Sequence, residues 1–299
     1  FGSRNTLQSR TVTARVGPLI SPVPFVMFGD LTLHAEALHD KGFAVFDIPG
    51  AGVFREELLS LVASGSLSQH RFQFGNELYE KPGIFEADLH SEHVRAMVPH
   101  FNEVFLSDSL VQELDRHLPD LGLLTGVAAK TVKLQHNSGG GACFPAHYDN
   151  AGRPSKRAVT CLVYLNIWKP GDGGELVLWP FLGPPVRVPP VLGRVALFLS
   201  DRVLHRVEPA NAERLCFTIW LDGANVNSDR DCNLTMSRLP ANEEMWTAFR
   251  CSPLQRSLSR AVYAEEYERS LLECMGDDAG VMLEAHKAQV EQLRKHAAL

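Results

Sequence analysis

Five residues have the types and spacing to do chemistry together: His147, Asp149, His205, Arg214 and Tyr164. Two imidazoles and one carboxylate form the facial ligand set of mononuclear non-haem iron, which leaves coordination positions open for other ligands. His147 and Asp149 are two apart, and residues i and i+2 of a strand share a face, so both can turn to one ion. His205 completes the set if it begins a strand across a barrel mouth. Taken alone the set is weak. The chain has 12 His, HxD arises by chance, and a lone strand His is more often a satisfied polar side chain.

Arg214 opens the strand RLCFTIW, nine residues after His205. A buried guanidinium needs an anion, and a bidentate carboxylate is its best geometric match. If HRVEP (205–209) and RLCFTIW (214–220) are hairpin partners, Arg214 enters beside the iron. Alternation then turns Cys216, Thr218 and Trp220 inward with it, and Leu215, Phe217, Ile219 and Leu221 outward. On RAVTCLVYLN (157–166), expected to face that strand, Thr160, Leu162 and Tyr164 share a face. The Tyr164 phenol can donate to the carboxylate that Arg214 holds. The competing readings are an exposed strand-end cation and a core aromatic.

The elements that would position these groups are legible from about Thr131. TVKLQHN, CFPAHYD, RAVTCLVYLN, GELVLWP, VRVPP, RVALFLS, HRVEP and RLCFTIWLD read as short strands, separated by SGGGA, NAGRP, KPGDGG, FLGPP and VLG. This punctuation predicts an antiparallel sandwich or jelly roll. Upstream, 31–40 reads as a short helix, 42–47 as a buried strand, 53–65 as a helix, and 91–118 as helix interrupted near Pro99. Downstream, EEMWTAFR, 256–275 and 283–298 read as helical, an extension packing on the barrel or on a partner. The expected class is α+β: a double-stranded β-helix core with flanking helices. Its expected divisions are an arm over 1–30, a domain over 31–225 and a helical extension over 226–299.

A net charge of −6 argues against a protein devoted to nucleic acid or anionic lipid. No apolar run approaches the roughly 18–20 residues of a membrane span. The six cysteines lie at 143, 161, 216, 232, 251 and 274, too far apart for a CxxC motif. Strand patterns around Cys143, Cys161 and Cys216 predict buried reduced thiols and a reducing, cytoplasmic setting. Residues 1–29 carry Arg4, Arg10 and Arg15 and no acid, the composition of a polar arm or a mitochondrial transit segment; an opening Phe fits a trimmed start.

The run HYDN, RAVTCLVYLN, GGELVLWP, RVALFLSDRVLHRVEP, RLCFTIW resembles the Fe(II)/2-oxoglutarate dioxygenases, and among them the prolyl 4-hydroxylase group. The likeness covers about 131–222 in order. It implies that His147, Asp149 and His205 bind iron and that Arg214, assisted by Tyr164, holds the distal carboxylate of 2-oxoglutarate. Leu162, Thr218 and Trp220 would line that cosubstrate site. The implied reaction hydroxylates a protein residue, proline first among candidates, with succinate and CO2 as co-products; ascorbate is admitted as a further cofactor. A peptide would be gripped by 66–90 and the Gly-rich SGGGACFP, through Arg71, Tyr79, Phe85 and Asp88. The C-terminal helices would serve oligomerisation or docking.

Five other readings are weighed against this one. A small-molecule hydroxylase keeps every motif. A nucleic-acid demethylase would carry a second Arg where Trp220 stands, and a halogenase would lack Asp149. A catalytically silent structural subunit, or a cupin-like binder, would not require all five residues.

Overall fold

The computed structural model describes residues 27–150, 152, 154–224 and 255–297. The expected helix EEMWTAFR lies outside them. Eleven strands are described: β1 (Phe43–Asp47), β2 (Ser68–Phe74), β3 (Glu77–Asp88), β4 (Lys130–Asn137), β5 (Ala142–His147), β6 (Arg157–Tyr164), β7 (Leu176–Trp179), β8 (Val186–Val188), β9 (Arg194–Leu199), β10 (Leu204–Ala210) and β11 (Arg214–Asp222). They form a seven-stranded sheet, β1-β9-β6-β11-β4-β3-β2, and a four-stranded sheet, β5-β10-β7-β8. All ladder pairs are antiparallel, as the short, turn-punctuated strands predict. The eight strands expected after Thr131 are all present.

Period-two alternation sorts each central strand of the large sheet. Val159, Cys161 and Val163 of β6 join Leu215, Phe217 and Ile219 of β11 in a core beneath α1 (Thr32–Lys41), α2 (Gly52–Ala63), α4 (Pro99–Leu106) and α5 (Ser109–His117). Leu162, Tyr164 and Cys216 point the other way, into the space shared with Phe144, Leu176, Leu178 and Val207 of the small sheet. A strand buried on both faces reads as a continuous apolar run, and RAVTCLVY is one. The interrupted helix expected over 91–118 is three helices, with α3 (Glu92–Met97) preceding α4 and α5; Pro99 opens α4 at a position where its missing N–H costs nothing.

Two expected pairings are corrected. HRVEP and RLCFTIW are not hairpin partners: β10 pairs with β5 and β7, and β11 with β4 and β6. Residues 211–213 carry the chain from one sheet to the other, which leaves each strand hydrogen-bonded on both sides in its own sheet. Nor does Tyr164 face Arg214 from across the barrel, because β6 and β11 are neighbours, with Tyr164 opposite Cys216.

A second helical layer covers the outer face of the small sheet: α6 (Gln255–Val262), α7 (Ala264–Met275) and α8 (Ala279–Ala297). Tyr267 packs on Ala146, Val177, Trp179 and Leu204. Buried Arg206 of β10 bonds Glu266 at 2.8 Å and also Glu273, and Ser270 accepts from the Ala146 N–H at 3.0 Å. The reduced-thiol reading holds for Cys161 and Cys216 but not for Cys143, which forms a disulfide with Cys274. The 131-residue separation hides this pair in the sequence; the packing of α7 on β5 puts the two Cα atoms 5.3 Å apart. With it falls the argument for a reducing compartment. No helix among the described residues is long and apolar enough to cross a membrane.

Candidate functional site

His147 ends β5 and lies directly opposite His205 on β10, with ring centroids 4.3 Å apart. Asp149 follows in the loop after β5 and brings Oδ1 to 3.5 Å from His147 Nε2 and 3.6 Å from His205 Nε2. Both rings bond a backbone carbonyl through Nδ1, His147 to Pro145 at 2.8 Å and His205 to Val203 at 3.1 Å. A ring that donates from Nδ1 turns its Nε2 to the carboxylate, and in the neutral form that Nε2 can ligate a metal. Burial, then the neighbouring His205 ring, lowers the His147 pKa and favours that neutral form. Burial alone would raise the Asp149 carboxyl, but the two imidazoles outweigh it and hold it well below the usual carboxylate range.

The second Asp149 oxygen is held from the large sheet. Thr160 Oγ1 donates to Oδ2 at 2.7 Å and lies 2.8 Å from Ser200 Oγ. The Thr160 hydroxyl has one proton and gives it to Asp149, so Ser200 is the donor in the second bond. Sequence reading put Thr160 on the inward face but missed this role, and missed Ser200 entirely. The available signal was a hydroxyl on the inward face of an apolar strand.

Arg214 is only 2% exposed. Its Nε donates to the Gly174 carbonyl at 3.0 Å, Nη1 to Gln135 Oε1 at 3.3 Å, and Nη2 to Tyr164 Oη at 3.4 Å. Among the described residues no acidic side chain pairs with it. A buried cation with neutral partners only is a receptor for an anion from outside the chain. Gly174 makes room: its φ is +75°, and a Cβ there would meet Arg214 Cδ at 3.0 Å. Burial pushes the Tyr164 phenol up to about 12, so it stays a hydrogen-bond donor. One cavity of about 430 Å3 joins the guanidinium to the His–Asp–His cluster, and Leu162, Thr218 and Trp220 line it too.

Residues 132–222 match the family model of the 2OG-Fe(II) oxygenase superfamily. A prolyl 4-hydroxylase structure from Phytophthora capsici is 43% identical, covers 89% of this chain and 88% of its own, and superposes with a TM-score of 0.78. This chain belongs to the 2OG-Fe(II) oxygenase superfamily. A prolyl 4-hydroxylase from Pseudomonas putida is 26% identical over 64% of this chain and 98% of its own, with a TM-score of 0.53. A Trichoplax adhaerens prolyl hydroxylase, in complex with a hypoxia inducible factor peptide fragment, is 26% identical over 64% of this chain and 87% of its own, with a TM-score of 0.54. The comparison with curated proteins returns no match.

The oxygenase is thus an enzyme of the Fe(II)- and 2-oxoglutarate-using kind, and His147, Asp149 and His205 are its candidate iron site. The donor set fits the metal: two Nε2 atoms and one carboxylate oxygen converge from three backbone positions. Among the described residues a second trio, Asp30, Glu113 and His117, also has ligand-type atoms close together. There Asp30 accepts from the Thr32 N–H at 2.9 Å and Glu113 binds Arg116, so surface hydrogen bonding accounts for it.

The expected peptide-gripping residues are placed elsewhere. Residues 68–88 form the β2–β3 hairpin, whose alternation is interrupted by a register shift between Gln69 and Arg71. His70, Phe72, Phe74, Lys81 and Glu86 line the cavity. Arg71 pairs with Glu80 at 2.6 Å, Tyr79 bonds Glu77 at 2.9 Å, Phe85 stacks on His136 and Asp88 bonds His90 at 2.9 Å. None of these four reaches the cavity. The C-terminal layer does, through Arg260, Tyr267, Leu271 and Met282.

Proposed function

We propose that this oxygenase hydroxylates a proline in a peptide or protein substrate, forming succinate and CO2 from 2-oxoglutarate and oxygen. The observation that carries this reading is the shape of the cavity beyond the metal ligands. It runs outward between the β2–β3 hairpin and the C-terminal helices, and His147 at its metal end is 37% exposed. Such a cleft suits a segment of chain entering from solvent. The prolyl hydroxylases among its structural relatives, one of them solved with a peptide, support the same reading.

Bound iron would supply the redox chemistry that couples decarboxylation of the 2-oxo acid to hydroxylation. This chain's own residues bind and orient. Arg214 and Tyr164 take the distal carboxylate of 2-oxoglutarate, while Leu162, Thr218 and Trp220 shape its surroundings. The Trp220 indole N–H is buried without a partner, a donor available to whatever enters. Thr160 and Ser200 fix the Asp149 carboxylate so that one oxygen turns toward the imidazoles.

The test is succinate release and hydroxyproline formation on proline-containing peptides, with His205→Ala alongside. Turnover lost in the variant supports the reading. An iron-loaded protein that binds 2-oxoglutarate yet hydroxylates no such peptide would sink it.

A further inference from the structure

Lys81 has no role in the site described so far, yet it lies inside it. The residue is 7% exposed, and its Nζ sits 3.7 Å from the centroid of the Phe144 ring and 5.4 Å from that of Phe72. The Phe144 ring in turn lies 6.3 Å from the His147 ring. Among the described residues no carboxylate pairs with this ammonium and no acceptor bonds it. The two acids whose charge it feels are committed elsewhere: Glu86 to His70 at 2.8 Å and to Lys133, and Asp149 to the two imidazoles. Burial pushes the amine down to about 7, against the upward pull of Glu86 and Asp149.

An unpaired buried charge destabilises a fold, so its presence in a ligand cavity marks a partner supplied from outside. Of the other lining charges, the acids Glu86 and Asp149 are already engaged, which leaves the cations in excess. Arg157, Arg214 and Arg260 also line the cavity without a carboxylate partner among the described residues. A cavity this cationic in a chain of net charge −6 selects anions. Arg214 is spoken for by the distal carboxylate of 2-oxoglutarate at the core of the barrel. Lys81 belongs instead to the β2–β3 hairpin, the outer wall along which a substrate enters.

We propose that Lys81 selects the substrate by binding the carboxylate of an acidic residue close to the target proline. This rests on the peptide-hydroxylase reading and narrows it to acidic proline-containing segments. The ammonium–carboxylate contact, made against an aromatic wall and away from bulk water, is stronger than the same pair on the surface.

Labelled peptides centred on proline, with Asp or Glu at each flanking position or with Asn or Gln there, test this by fluorescence anisotropy. The protein is loaded with Mn(II) and 2-oxoglutarate and kept free of oxygen, so binding is read without turnover. The wild type is expected to favour an acidic peptide by about tenfold or more, the ratio that a charge-assisted hydrogen bond supports. Lys81→Met should abolish that preference and Lys81→Arg should retain it. Met fills the same space and removes an unpaired charge, so the variant is expected to fold; Lys81→Gln is the second variant if it does not. Calorimetric titration of 2-oxoglutarate into each protein separates the two possible carboxylate sources.

Equal binding of acidic and neutral peptides by the wild type, or no binding of either, overturns the proposal. So does a preference that survives in Lys81→Met, or a loss confined to 2-oxoglutarate affinity. A wild type that prefers acidic peptides but forms no hydroxyproline would refute the hydroxylase reading and leave the Lys81 contact standing.

Discussion

Asp149 illustrates how much of this site is decided by single atoms. One oxygen faces the Nε2 atoms of two imidazoles and the other accepts a hydrogen bond from Thr160. Asp149→Ala is expected to abolish iron retention, and stoichiometric iron in that variant, by metal analysis, would remove the residue from the ligand set. Arg214→Ala should weaken 2-oxoglutarate binding by about 1.5–3 kcal/mol, the range for a lost charged hydrogen bond; unchanged affinity by calorimetry would take Arg214 out of the cosubstrate site. Glu86 makes a pH prediction. Burial would raise its pKa, but bonds from His70 and Lys133 outweigh that and bring it down from 4.5 to about 2. A depressed carboxylate stabilises the fold above its unfolded pKa and loses that contribution as pH falls through the folded one. The thermal midpoint of wild type should therefore drop between about pH 5 and pH 2 more steeply than that of Glu86→Gln.

At the scale of elements, the turn between β6 and β7 and the strand β11 act as a unit. Gly174 offers its carbonyl to Arg214 Nε, and its missing side chain leaves space for the Arg214 stem. Gly174→Ala adds a methyl 3.0 Å from Arg214 Cδ at a φ of +75°. The expected cost is roughly 1–3 kcal/mol of stability, together with a raised KM for 2-oxoglutarate. A variant with wild-type melting and wild-type KM would show that the turn does not position the guanidinium. The β2–β3 hairpin is the other decisive element. It lengthens the large sheet beyond the barrel and presents alternate residues to the cavity.

For the whole molecule, the main consequence of folding is that the C-terminal helices become part of the catalytic cleft. Arg206 with Glu266 and Glu273, Ser270 on the Ala146 N–H, and the Cys143–Cys274 disulfide fasten them to the two strands that carry His205 and His147. Reduction, or Cys274→Ser, should lower stability by about 2–4 kcal/mol, the usual contribution of a cross-link closing a long loop. Denaturant melts with and without reductant check this, and coincident curves would show that the bond contributes nothing. Because α7 also lines the cavity, the same loss should raise KM for a peptide more than for 2-oxoglutarate.

Strand periodicity and turn chemistry were enough to read the jelly roll from the sequence, while the five residues stood out by type and took their candidate roles from the family resemblance. These features are local: alternation is a property of each strand, and the side-chain chemistry needs no partner to be recognised. What only the tertiary structure decided depends on long-range packing. The strands carrying His205 and Arg214 lie in different sheets, although three residues join them. Thr160 and Ser200 meet at Asp149, and Cys143 meets Cys274 across 131 residues. The hairpin over 68–88 brings Lys81 into the cavity, while Tyr79, on the same face two residues away, packs beside Phe72 short of it and Arg71 pairs with Glu80. How far along the strand the cavity reaches is set by packing, not by the local pattern.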